Sequence, residues 1–139
     1  MAVILEAQSI DYHYDPENPV LHQVGVSVED KTIVYLLGHN GCGKTTLLEI
    51  LGGLRAPARG NVTLNGENIY RLPAHIRAQR VGLVPQMHMP IFSYSVYQVV
   101  LMGRTPYLSI LGTPGPEDYD IVDHAIETVG LSALRDRSY

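Results

Sequence analysis

Eight consecutive residues, Gly38-His39-Asn40-Gly41-Cys42-Gly43-Lys44-Thr45, have the types and spacing to hold a chain of phosphates. They fit the pattern G-x-x-x-x-G-K-[S/T] at every fixed position. Gly38, Gly41 and Gly43 lack a Cβ, so the backbone there can take conformations closed to other residues and approach a ligand closely. Successive N–H groups can then converge on an anion at a helix N-terminus, where the macrodipole also favours negative charge. Lys44 brings an ammonium group able to reach β- and γ-phosphates, and the Thr45 hydroxyl can ligate Mg2+. The bland alternative is a glycine turn capping a helix, with Lys44 solvated. With Gly near 7% of average usage, the fixed positions should coincide by accident in well under roughly one chain in a hundred of this length.

Such a loop works only if elements on both sides aim it. Before it, Thr32-Ile33-Val34-Tyr35-Leu36-Leu37 is a short apolar run rich in β-branched and aromatic residues, as in a buried parallel strand. After it, Thr46-Leu47-Leu48-Glu49-Ile50-Leu51 reads as the first turns of a helix, ending near Gly52-Gly53 with Pro57 beyond. Strand, loop and helix thus come in the order that phosphate binding needs.

The totals narrow the class. The 139 residues are 45% hydrophobic and 17% charged, which suits one packed domain or part of a larger one and gives no case for disorder. A formal net charge of −4 argues against a general nucleic-acid binder. The single cysteine, Cys42, excludes an internal disulfide and fits a reducing compartment. As a reactive thiol it is outweighed by the simpler role of a small residue filling a loop position. No apolar run approaches the ~18 residues of a membrane span and no signal peptide opens the chain, so a membrane role must come through a partner.

Toward the N-terminus, Val3–Ala7 and Ser9–Tyr14 read as strands, and Asp15–Pro19 as a turn with two prolines. Val20–Val28 alternates well enough for another strand, giving a mainly antiparallel region. Past the loop, Asn61–Leu64 is a strand closing in the Asn65-Gly66 turn, and Pro73 starts a short helix through Arg80. Val81–Val84 is a second short apolar strand, stopped by Pro85 and followed by Gln86. From Ser95 onward helices take over. Val96, Val99, Val100 and Gly103 share one face, and Thr105–Pro116 reads as a loop. Glu117 and Asp118 then open a helix whose Ile121, Val122, Ala125, Ile126 and Val129 form a stripe ending at Gly130, with Ser132 able to cap the next helix.

Four matches in the right order give this sequence a resemblance to the N-terminal part of an ABC transporter nucleotide-binding subunit. Leu5-Glu6 with Tyr12-His13-Tyr14 resembles the opening strand and its adenine-stacking aromatic, and Gly38–Thr46 the phosphate loop, or Walker A motif. Gly60–Gly66 resembles the G-x-[IV]-x-[LV]-x-G hairpin, and Val81–Gln86 the strand leading into the Q-loop. Val96–Tyr107 is similar to the corresponding stretch in importers of metal chelates (iron-siderophore, haem, cobalamin) and of molybdate or tungstate.

The resemblance implies an α/β P-loop NTPase fold: a RecA-like parallel sheet, an antiparallel β subdomain and the start of an α-helical subdomain. Residues 1–92 would form the ATP-binding core, with Walker A and Q-loop, and 93–139 part of the helical subdomain. It also implies ATP and Mg2+ as cofactors. Gly38, Asn40, Gly41, Cys42, Gly43, Lys44, Thr45 and Thr46 would line the phosphates, with Thr45 and Gln86 on the metal. Lys44 and Gln86 would face the reacting phosphate and the attacking water. On spacing alone, a Gln after Pro is an ordinary exposed loop residue. Tyr14 would stack on adenine, with Tyr12 as competitor, on the expectation that strand alternation places one of the two on the ligand face.

The stretch Met87–Tyr97, rich in Met and aromatic residues, would dock transmembrane permease subunits, packing within the helical subdomain being the alternative. Two copies would close as a homodimer over two ATP molecules, at the cytoplasmic face of the plasma membrane and without nucleic acid. An LSGGQ-like signature, a catalytic carboxylate and a switch histidine are expected in a C-terminal half that lies beyond Tyr139. By that reading the 139 residues alone are inactive as an ATPase and expose unpaired strand edges. A soluble ABC-type ATPase and a non-hydrolysing remnant that binds nucleotide or a partner are the competing classes.

Overall fold

The computed structural model describes residues 2–86, 93–109 and 111–139. They fall into two compact units, the first ending at Leu83 and the second beginning at Val84.

In the first unit, β1 (Val3–Asp15) and β2 (Asn18–Glu29) form a long hairpin closed by a two-residue turn at Pro16-Glu17. The two strands read separately at Val3–Ala7 and Ser9–Tyr14 are one. They join through a bulge at Ser9, which takes φ 52° and shifts the register between Ala7 and Ile10. The extra residue lets Ala7 and Ile10, three apart, both turn inward and be buried. Next come α1 (Lys44–Leu51), β3 (Arg59–Leu64), β4 (Glu67–Asn68) and α2 (Ala74–Arg80). The sheet order is β2-β1-β3-β4, antiparallel throughout. Asn65 and Gly66, at φ 50° and 81°, form the β3–β4 turn, as expected of a type I′ hairpin.

One face of α1 closes the core. Leu47, Ile50 and Leu51 pack with Ala7, Ile10, Leu21, Val62 and Ile69. The end of the helix is fixed from β4's side: the Tyr70 hydroxyl donates to the Ile50 carbonyl at 2.7 Å and lies 3.0 Å from that of Arg55. Burial pushes the Tyr70 phenol up to about 12.

Two expected strands are not strands. Thr32–Leu37 and Val81–Val84 join no ladder among the described residues, and Ile33, Tyr35, Leu37, Leu83 and Val84 are exposed. A parallel strand is held by neighbours on both edges and layers on both faces. The only sheet in the described residues is antiparallel and its members are elsewhere in the chain. Val34, Leu36 and Leu83 instead line an apolar groove of about 210 Å³ with Val26, Val28 and Leu47.

The second unit holds α3 (Val96–Met102) and α4 (Pro116–Thr128), which pack on one another. A capping box starts α3: the Gln98 N–H donates to Ser95 Oγ and the Ser95 N–H to Gln98 Oε1. Pro116 opens α4 rather than ending the preceding loop, and Asp118 Oδ2 accepts the Gly115 N–H at 2.9 Å. The other carboxylate oxygen accepts Arg104 Nε at 2.7 Å, and that guanidinium also lies over the Tyr107 ring. The Gly115 amide first, and Arg104 second, hold the Asp118 carboxyl below its usual range. Of the predicted stripe on α4, Val122 and Ile126 are buried, while Ile121 and Val129 are exposed. Ser132 begins a 3₁₀ turn, Ser132–Leu134, instead of capping it.

Candidate functional site

The Gly38–Thr45 loop runs straight into α1. Gly43 caps that helix at φ 91°, and Gly41 turns at φ 82°. Beneath Gly43 lie Val20 and Leu21 of β2, so close that an added Cβ would meet Leu21 Cδ2 at 2.9 Å. The hairpin therefore supports the loop from below, through the one residue whose missing side chain permits it.

Within the loop, Lys44 Nζ donates to the carbonyls of Gly38 at 2.8 Å and His39 at 2.7 Å, and lies 3.7 Å from Cys42 Sγ. The backbone is thus wound around the ammonium group. His39 turns aside to the Asn40 carbonyl, Nδ1 to O 2.9 Å. Neither the loop nor the first turn of α1 carries an acidic residue. The helix dipole, the free N–H groups and the lysine charge therefore add without a carboxylate to offset them, which suits a polyanion. Thr45 is exposed at the second helical position. Among the described residues no three His, Cys, Asp or Glu side chains converge on a possible metal position. A single hydroxyl beside phosphate oxygens is nonetheless a setting Mg2+ accepts, since it keeps most of its waters.

Thr46 is buried, at 5% exposure, and its Oγ1 lies 3.0 Å from the Tyr14 hydroxyl. The structure thus joins the loop helix to the tyrosine singled out for base stacking. The expectation that only one of Tyr12 and Tyr14 shares that face fails. Residues two apart in a strand point the same way, and the two rings meet edge to face with centroids 5.2 Å apart. Tyr14 is the exposed member and Tyr12 the half-buried one. Gln86 is exposed in the second unit, beyond Pro85. Of the expected docking stretch, Met87–Phe92 lies outside the described residues.

Sequence reading missed Arg55. Its Nε donates to Glu49 Oε2 and its Nη1 to the Tyr12 hydroxyl, each at 2.8 Å, and its Cζ lies 5.4 Å and 5.1 Å over the Tyr12 and Tyr14 rings. The Glu49 and Tyr12 bonds push its pKa up. Nothing in the local pattern near Arg55 signals partners more than 40 residues away.

Residues 21–139 match the profile of the ABC transporter family. The chain belongs to that family. Over 135 residues it is 31% identical to the molybdate import ATP-binding protein MolC of Haemophilus influenzae, covering 97% of this chain and 48% of that one. It is 38% identical over 122 residues to the hemin import ATP-binding protein HmuV of Pseudomonas putida, covering 88% and 46%. The fold superposes with a TM-score of 0.78 and 28% identity on a metal-chelate type ABC transporter solved in an inward-facing conformation, over 99% of this chain and 49% of that one. The chain spans about half the length of the curated relatives it matches. The mixed α/β fold expected from the sequence, antiparallel sheet included, is that of an ABC ATPase, a class that uses ATP and Mg2+. No helix among the described residues is long and apolar enough to cross a membrane.

Proposed function

We propose that this ABC family member binds Mg-ATP through the Gly38–Thr46 loop and that the whole protein is the ATP-hydrolysing subunit of an importer. The observation that carries the reading is the loop wound around Lys44 at the start of α1, with no acidic side chain in the loop or the first helical turn. In this reading the amides from Gly41 to Thr45, with Gly38, Asn40 and Cys42, cradle the phosphates. Lys44 leaves the Gly38 and His39 carbonyls for β- and γ-phosphate oxygens. Thr45 would offer its hydroxyl to Mg2+, Thr46 would lie beside the phosphates with its hydroxyl still on that of Tyr14, and Tyr14 would stack on adenine. Gln86 would serve as a further ligand for Mg2+ and would orient the attacking water.

The names of the relatives support molybdate or a metal chelate such as hemin as cargo. A second copy would supply the other half of a two-ATP sandwich. Permease subunits would dock near Met87–Tyr97, which sets the protein on the cytoplasmic face of the plasma membrane. The 139 residues contain no LSGGQ-like run, so on their own they would bind nucleotide without turning it over.

Calorimetry of the intact protein with Mg-ATP, wild type against Lys44→Ala, tests the reading. The lysine exchanges two carbonyl bonds for two phosphate bonds, so only the surplus counts, about 1.5–3 kcal/mol or roughly 10- to 150-fold in Kd. Equal affinity in the two proteins would end it.

A further inference from the structure

We propose that Arg55 is a positioning residue for nucleotide binding, fixing the Tyr14 ring in the orientation in which it takes the base. The inference rests on the base-stacking role given to Tyr14 under the proposed function. An exposed tyrosine on a strand is free to change rotamer, and Tyr14 is 56% exposed. Here three neighbours restrain it. Its hydroxyl is held by Thr46, its ring edge or face by Tyr12, and the Arg55 guanidinium lies over it at 5.1 Å.

The guanidinium is itself held. Glu49 takes Nε, the Tyr12 hydroxyl takes Nη1, and the Arg55 carbonyl lies 3.0 Å from the hydroxyl of half-buried Tyr70. Arg55 thus ties the loop after α1 to both tyrosines of β1, with a planar fork that a lysine cannot reproduce. A ring already ordered before the base arrives loses less freedom on stacking, so the clip acts on affinity for the base and not on the phosphates. A cation over one ring surface is compatible with that, since a majority of the residue stays open to solvent.

The test is the ratio of two affinities measured by calorimetry in the intact protein, Mg-ATP against Mg-tripolyphosphate. Arg55→Ala is expected to weaken ATP by about three- to tenfold while leaving tripolyphosphate unchanged. Arg55→Lys, which keeps the charge and loses the fork, should fall between, as should Tyr12→Phe. An unchanged ratio in Arg55→Ala, tighter ATP binding, or equal losses for both ligands would overturn the proposal. If thermal melting shows that the alanine variant does not fold, Arg55→Lys and Tyr12→Phe decide by the same ratio. A wild-type protein that binds tripolyphosphate no more weakly than ATP sinks the role of Tyr14, and the inference with it. One that binds neither sinks the phosphate site itself.

Discussion

Alanine at Gly43 and alanine at Gly41 should cost the protein different amounts, because both glycines have positive φ but only one is packed. At Gly41, φ is 82° and an added Cβ meets nothing within 4 Å. The change there carries only the left-handed backbone cost of an L-residue, about 1–2 kcal/mol. At Gly43, φ is 91° and the new Cβ would lie 2.9 Å from Leu21 Cδ2, 3.2 Å from Val20 Cγ1 and 3.2 Å from the Val20 carbonyl oxygen. The Leu21 methyl can swing away, whereas the Val20 carbonyl belongs to β2 and cannot move without its strand. Overpacking of this kind adds about 1–2 kcal/mol, the lower part of the usual range. Gly43→Ala is therefore expected to destabilise by about 2–4 kcal/mol and Gly41→Ala by about half that. In urea, at a typical slope for small domains, the larger loss is a midpoint shift of roughly 1–2 M. Circular dichroism during urea unfolding of the intact protein reads both variants on one scale. Equal midpoints, or a larger loss at Gly41, would refute the claim that the loop rests on β2 through Gly43.

Tyr70→Phe removes the hydroxyl that serves the Ile50 carbonyl and should cost about 1–2 kcal/mol by the same measurement. Because burial raises the Tyr70 phenol from 10.0 to about 12, its stabilising contribution is complete below pH 10.0 and declines as pH rises through about 12; the Phe variant should lack that alkaline component. Asp118 behaves with the opposite sign: its carboxyl is held below 3.8, so its contribution is present above that pH and is lost as pH falls through the depressed value. Acid titration of helical signal should therefore be shallower below pH 3.8 in Asp118→Asn, and an unchanged profile would mean that the Gly115 and Arg104 contacts do not stabilise the charged form.

What the sequence makes legible here is what neighbours in the chain decide. The Asn65-Gly66 turn, the helix stop at Gly52-Gly53 and the helix start after Pro73 each depend on a few adjacent dihedrals, and each is found; the turn expected over Asp15–Pro19 is there but tightened to Pro16-Glu17, with Asn18 and Pro19 drawn into β2. The phosphate loop belongs to the same class, since its conformation is written in its own glycines. Contacts between distant residues were not legible. Tyr14 meets Thr46 across 32 residues and Arg55 meets Tyr12 across 43, with no periodicity to connect them. The Ser9 bulge had a sequence trace, the break in pattern at Gln8, but that break reads equally well as the end of one strand and the start of another.

The run before the loop shows how far local pattern can carry a segment without a ladder. From Ile33 to Leu37 the exposures are 79%, 52%, 78%, 38% and 87%. That alternation is the period of an extended chain with one side turned to an apolar surface, and the two more covered residues, Val34 and Leu36, are those lining the groove with Leu47 and Val26. Hydrophobic patterning thus selects the face and the extended conformation, while strand pairing depends on N–H and C=O groups that only another strand can offer. For the phosphate loop the consequence is mechanical. Its upstream side joins no ladder among the described residues, so its placement leans on the contacts that reach it from β1 and β2: Val20 and Leu21 under Gly43, and Tyr14 on Thr46. The antiparallel hairpin is accordingly part of the proposed nucleotide site as well as its neighbour.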